Sequence, residues 1–396
     1  MAFWDTSCRR TLVLILAGLV ASTLIYLSII DTTKPSLTPN SHTVSADYLE
    51  SQQQQPFEAS SNHSVPWKCT CYNYDSGEES TLPADEPPPK EHGEASPVLV
   101  PESFADPPSE LMDKINNNMH DGRVLIVATA NYGMREYIYN WIESMKRTGE
   151  DKFVIFCLDD KLYTHLVNAG YESHAVQIPE MWYHQDVASN FEEYYTPQYR
   201  IITHAKTLVV QRLLYLDITV LFTDVDVVWL RPRTREYLKT FLDIRPDTHV
   251  IFQQEGLDER QVNTGFYMMR PATDMKRLLA ETIYLQDTEE GLTQQGALNK
   301  ALSDIVMDIR TSSVVLLDVI YFPNGYSYFD NDLSKSLGIE PYILHANYRV
   351  GDAKKEELRS RGFWYVDEEW LKQMDQQTDD AWQEQIDEII APGVRL

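Results

Sequence analysis

Apolar positions along this chain gather into short runs separated by stretches of helical period. The runs at 124–130, 153–158, 175–178, 218–222, 250–253, 314–317 and 342–345 are brief, largely unbroken and bounded by polar or turn residues. That is how strands buried on both faces read. Between the first two, Tyr137, Ile138, Trp141 and Met145 recur on one helical face. Further helices are predicted at 163–168, 200–215 and 235–242, with an acidic helix at 367–390 that packs through Trp370, Met374, Trp382 and Ile386. Strand and helix alternate in a βαβαβ rhythm, which predicts an α/β domain with a mixed sheet and flanking helices.

The first 117 residues read differently. Residues 11–30 are apolar and follow Arg9 and Arg10, which is the length of a membrane-spanning helix with its positive flank on the cytoplasmic side. The expectation is a cytoplasmic tail at 1–10, a type II signal anchor at 11–30, and a lumenal stem at 31–117 rich in Ser, Pro, Gln and acidic residues, unable to bury a core. The stem carries an acceptor sequon at Asn62 and two cysteines, Cys69 and Cys71, too close for a comfortable mutual bridge, which leaves a homodimer through them open. The folded domain is expected at 118–396. The formal net charge of −26 argues against nucleic acid as a partner, since phosphate backbones need a basic face.

Candidate chemistry centres on Asp224 and Asp226, which end the 218–222 run. In an extended segment, side chains at i and i+2 share a side, so both carboxylates can face one hard cation such as Mn²⁺ or Mg²⁺. A bare pair of this kind is commonly a solvated strand end, but long apolar flanks make that costly without a compensating charge. Two chemistries use the pattern. One holds a cation on the diphosphate of a nucleotide sugar; the other is a haloacid-dehalogenase-type phosphatase with Asp224 as nucleophile. Lys206 lies on the predicted helix just upstream. Asn263-Thr264-Gly265, read as a turn entering a strand, offers an amide, a hydroxyl and open backbone to a sugar. Gln295 and Asn299 are four apart on a helix. His345 at a strand end suits a third ligand, and Gly351 followed by Lys354 can reach a phosphate. Trp182, Tyr183, Tyr194, Tyr195 and Tyr199 crowd one region, where they either stack on sugar rings or pack on one another. No GxGxxG, Walker lysine loop or GxSxG elbow is present.

In order, TDVDVVWL, NTGFYMMRP, QQGALN, FPNGY and HANYRVGDAK resemble the nucleotide-diphospho-sugar transferase family of retaining glycosyltransferases, over about 122–363. The resemblance implies a GT-A-like, Rossmann-related single domain in a Golgi membrane protein, moving a sugar from a UDP-sugar to a glycan or glycoprotein. It implies Asp224, Asp226 and His345 as Mn²⁺ (or Mg²⁺) ligands, Lys206 near the donor, Asn263 and Gly265 along the sugar, Lys354 on the diphosphate and Gln295 near the anomeric carbon. Where related enzymes carry an aspartate, this chain has Gln294, which keeps a non-catalytic sugar-nucleotide-binding protein in view. Front-face substitution is the expected route of retention, because an amide is a weak nucleophile. The phosphatase alternative draws on Gly351-Asp352 followed by Glu356 and Glu357 as a late acidic motif.

Overall fold

The computed structural model describes residues 68–72, 79–83, 98–182, 197–289, 291–305, 307 and 313–390. The expected tail and anchor, the Asn62 sequon, Tyr183, Tyr194, Tyr195 and the side chain of Tyr199 lie outside them. Among the described residues no helix is long and apolar enough to cross a membrane.

Regular structure begins within the segment expected to be stem. Strands Lys68–Tyr72 and Glu79–Pro83 pair antiparallel, and helix α1 (Ser109–Asn117) buries Leu111 and Ile115. These two apolar side chains sit four apart on one face, a local period too short to stand out in a Pro- and acid-rich stretch.

The domain then runs β1 (Val124–Ala130), α2 (Arg135–Thr148), β2 (Val154–Cys157), α3 (Asp160–Asn168), β3 (Ala175–Gln177), α4 (Pro197–Tyr215), β4 (Thr219–Thr223) and β5 (Val227–Trp229). It continues through α5 (Thr234–Asp243), β6 (Val250–Glu255), β7 (Asp258–Met269), α6 (Thr273–Thr288), α7 (Gln294–Asp304), β8 (Val314–Leu317), β9 (Ile343–His345), α8 (Asp352–Ser360) and α9 (Glu368–Ile390). Seven strands form one sheet in the order β8-β6-β7-β4-β1-β2-β3. All neighbours are parallel except at β7, which runs antiparallel to both β4 and β6. A separate two-stranded sheet pairs β5 with β9 antiparallel, with His345 opposite Val227.

Strand alternation splits the core into two layers. Val124, Ile126 and Ala128 face one way, against Ile138, Trp141 and Met145 of α2. Leu125 and Val127 face the other, against Val209 and Leu213 of α4, Leu278 of α6 and Leu298 of α7. Each Val, Leu, Ile or Met among them, fully buried, contributes roughly 1.5–3 kcal/mol of transfer free energy. Burial on both faces is what made these strands legible as unbroken apolar runs. Local chemistry sets the boundaries. Gly149 takes the left-handed turn that ends α2, at φ 85°, and Asp159 caps α3 by accepting from Leu162 N–H at 2.9 Å.

Two local expectations are corrected. The Asp224-Val225-Asp226 segment is a turn between β4 and β5, closed by Val227 N–H donating to Asp224 C=O at 3.2 Å; the shared side of an extended strand is not what aligns the carboxylates. Asn263, Thr264 and Gly265 lie inside the long strand β7, at a register shift between Phe252 and Gln253 of β6. That strand opens with Asp258-Glu259-Arg260-Gln261, polar residues that read as loop because they run beyond the buried part of the sheet.

Candidate active site

Helix α2 fixes the acidic turn from both sides. Trp141 donates its indole N–H to Thr223 Oγ1 at 3.2 Å, just before the turn, and Ser144 Oγ accepts from Trp229 N–H at 3.0 Å, just after it. Across the turn, Asp224 N–H donates to Gly265 C=O at 2.6 Å, and Ala346 N–H donates to Asp226 C=O at 3.0 Å. The carboxylates are therefore held by β7 and by the chain leaving β9.

The donor atoms of Asp224, Asp226 and His345 all lie within 4.8 Å of one another, a set able to hold a metal ion. Each carboxylate divides its two oxygens between this centre and a lysine. Asp224 presents Oδ2 at 4.0 Å from His345 Nε2 while its Oδ1 pairs with Lys206 at 2.8 Å. Asp226 presents Oδ1 at 3.2 Å from the same nitrogen while its Oδ2 pairs with Lys354 at 2.6 Å. The lysines thus occupy the outer oxygens and turn the inner ones toward His345. Burial by itself would raise the Asp226 carboxyl, but Lys354 and His345 together outweigh it and hold the group well below the usual carboxylate range.

The imidazole is oriented by a residue that sequence reading passed over. Gln253 donates its amide nitrogen to Phe322 C=O at 3.1 Å and Pro323 C=O at 3.0 Å. Carbonyls only accept, so the Gln253 oxygen must face His345 Nδ1, at 2.8 Å, and must accept a proton from it. With Nδ1 carrying the hydrogen, Nε2 offers a lone pair toward the two carboxylates, as a metal-binding histidine requires. Gly265 completes the cradle: a Cβ there would lie 2.3 Å from His345 Cε1 and 2.5 Å from Asp224 Oδ2. Two carboxylate oxygens, one prepared imidazole nitrogen and space that only glycine leaves fit a divalent cation.

The remaining expected residues sit beside this centre. Asn263 Oδ1 accepts from Gly265 N–H at 2.7 Å and its side-chain amide nitrogen donates to Glu255 at 2.5 Å. Gln295 Oε1 accepts from Thr264 N–H at 3.2 Å and its side-chain amide nitrogen donates to the same Glu255 oxygen at 3.1 Å. Gln294 is turned inward, 3% exposed, accepting from Thr264 Oγ1 at 2.6 Å. Asn299 clamps Val262 on both its N–H and C=O at 2.9 Å. Tyr348, whose hydroxyl donates to Glu255, was not anticipated, and neither was any role for Glu255 in holding the two amides. In the late acidic run, Glu356 pairs with Arg359 at 2.5 Å and Glu357 with Arg361 at 3.1 Å. A separate cleft of about 490 Å³, lined among others by Arg147, Trp229, Tyr328 and Tyr365, contains none of the site residues.

A fucoside α-3-galactosyltransferase of Dictyostelium discoideum that uses UDP-galactose is 23% identical over 287 residues, covering 62% of this chain and 43% of the relative. A β-arabinofuranosyltransferase of Arabidopsis thaliana is 24% identical over 62% of this chain and 48% of its own length. A UDP-D-xylose:L-fucose α-1,3-D-xylosyltransferase of the same plant is 25% identical over 64% of this chain and 73% of its own. The chain thus spans under half the length of the first two. A solved galactosyltransferase, LgtC, aligns at a TM-score of 0.40 and 16% identity over 62% of this chain and 99% of that chain, too loosely to add to the assignment. Residues 148–358 match the nucleotide-diphospho-sugar transferase family, just over half of the 396 residues, and the chain belongs to that family.

Proposed function

We propose that this protein is a glycosyltransferase of GT-A architecture that moves a sugar from a UDP-sugar to a glycan or glycoprotein acceptor, retaining the anomeric configuration, with Mn²⁺ as its cation. The observation that carries the reading is the divided pair of aspartates, whose inner oxygens converge on an imidazole lone pair while lysines hold the outer ones. Imidazole in the set favours Mn²⁺ over Mg²⁺, which prefers oxygen ligands and water.

Asp224, Asp226 and His345 would hold the cation, which when bound supplies Lewis-acid neutralisation of the leaving diphosphate. Lys206 and Lys354 would meet phosphate oxygens once their carboxylates are otherwise engaged. Gly265 lets His345 and Asp224 close in beside it, and Asn263 and Gln295 would border the sugar. Both polar ends of the Gln295 amide are already bonded, its nitrogen to Glu255 and its oxygen to Thr264. An amide so committed orients; it does not attack. This supports front-face substitution, in which the departing phosphate oxygen takes the acceptor's proton.

We further infer a type II Golgi membrane protein with residues 11–30 as anchor and 118–396 as the catalytic region. The basic pair Arg9-Arg10 before the apolar run and the sequon at Asn62 support it. The deciding experiment incubates the full chain with a panel of UDP-sugars, with Mn²⁺ or with EDTA, and follows UDP release. Mn²⁺-dependent release from one donor, abolished by Asp226→Ala, is expected; a fully active Asp226→Ala sinks the metal assignment.

A further inference from the structure

We propose that Glu255 restricts the donor to uncharged sugars and excludes those bearing a carboxylate, such as uronic acids. The inference rests on the reading above that Asn263 and Gln295 border the transferred sugar.

Glu255 ends β6 and is half-buried. Its Oε2 accepts from the Asn263 amide at 2.5 Å and the Gln295 amide at 3.1 Å, and its Oε1 accepts from the Tyr348 hydroxyl. The orientation of both amides is forced. The oxygen of Asn263 takes Gly265 N–H and the oxygen of Gln295 takes Thr264 N–H, and a backbone N–H can only donate, so both NH₂ groups must face Glu255. All three partners are neutral. Among the described residues no cation pairs with this carboxylate: the two lysines of the site pair with Asp224 and Asp226.

The result is a negative charge set among amides and a phenol, beside the glycine that touches Asp224. An ionised carboxylate has about four acceptor positions and three are used here. The fourth is available to a sugar hydroxyl, which donates. A sugar carboxylate has no proton to offer at neutral pH and brings a like charge beside a half-buried carboxylate, where such juxtaposition is strongly unfavourable. The backbone holds this arrangement at an unusual conformation: Tyr348 has φ 62°, a left-handed geometry that an aromatic residue keeps only where its surroundings over-determine it. The bend delivers its hydroxyl to Glu255.

The test measures binding of UDP, UDP-galactose and UDP-galacturonic acid to the full chain by calorimetry with Mn²⁺ present. The galactose and galacturonic acid donors differ only in whether C6 is a hydroxymethyl or a carboxylate. Galacturonate is expected to bind at least about thirtyfold more weakly than galactose in the wild type. Glu255→Gln should bring the gap under about threefold, each affinity being taken relative to that variant's own affinity for UDP. Tyr348→Phe keeps the carboxylate and should keep the gap. Equal wild-type affinities overturn the proposal without any variant, and so does a gap that survives in Glu255→Gln, which would assign the exclusion to shape. Failure of the wild type to bind UDP at all would instead remove the site reading and this inference with it.

Discussion

Gly265→Ala tests the site at its tightest contact. The added methyl would lie 2.3 Å from His345 Cε1 and 2.5 Å from Asp224 Oδ2, roughly 1 Å inside ordinary van der Waals distance at both. Neither neighbour can retreat freely. The imidazole is 3% exposed and its Nδ1 is held by Gln253 at 2.8 Å, while Asp224 is tied to Lys206 through Oδ1 and to Gly265 C=O through its own N–H. Overpacking of this kind costs about 1–3 kcal/mol, and disturbing groups that orient metal ligands lowers affinity about 10–100-fold. Because two ligands are displaced together, the upper end, about 100-fold, is expected for Mn²⁺. Titration of the full chain with Mn²⁺, read by the electron paramagnetic resonance of the free ion, measures this, with a thermal melt to register the folding cost. A Gly265→Ala protein that binds Mn²⁺ within about twofold of wild type would refute the placement of the cation.

Three further outcomes are expected. Gln253→Leu removes the acceptor that keeps the hydrogen on Nδ1 of His345, so Mn²⁺ affinity should fall about 10–100-fold in the same titration; an unchanged affinity would show that the tautomer is set by something else. Gln295→Ala, which leaves Asp224, Asp226 and His345 untouched, should slow UDP release while Mn²⁺ affinity holds, and complete loss of turnover would mean the amide takes part in the bond change. Burial pushes His165 from 6.5 down to about 4, beneath α9, where its Nδ1 donates to Thr378 at 2.7 Å. Its folded pKa lies below the unfolded one, so the stability it lends is complete above pH 6.5 and is lost as pH falls toward 4. Urea unfolding of the full chain should show about 2 kcal/mol less stability at pH 5 than at pH 7 from this group, and the pH dependence should shrink by that amount in His165→Gln.

The parts of the fold visible in the sequence are those whose burial is symmetric. Strand β1 is apolar at nearly every position because both faces are covered, and β8 reads the same way. Strand β7 was only half visible: its buried end, Phe266–Met269, is apolar, but its first residues are polar. The three metal-ligand candidates were found by residue type and by the family resemblance, but the reason they converge was not. The sequence suggested an extended pair; the structure makes a turn pinned by Trp141, Ser144 and Gly265. Gln253 stood at the end of a predicted strand and Glu255 just beyond it, yet their meaning lies in contacts with His345 and Tyr348, separated from them by 92 and 93 residues. Nothing in local spacing encodes a partner that far along the chain.

The pairing of β5 with β9 sets an order of assembly for a chain made from its N-terminus. Lys206 and Asp224 are only 18 residues apart and can meet as soon as β4 forms. Asp226 must wait for Lys354, 128 residues later, and for His345, which enters the site only when β9 zips along β5. Until then the nascent domain carries an acidic turn with one half of its charge uncompensated, and closing so long a loop is a slow step. A complete set of ligands for the cation should therefore form only after β9 has paired with β5.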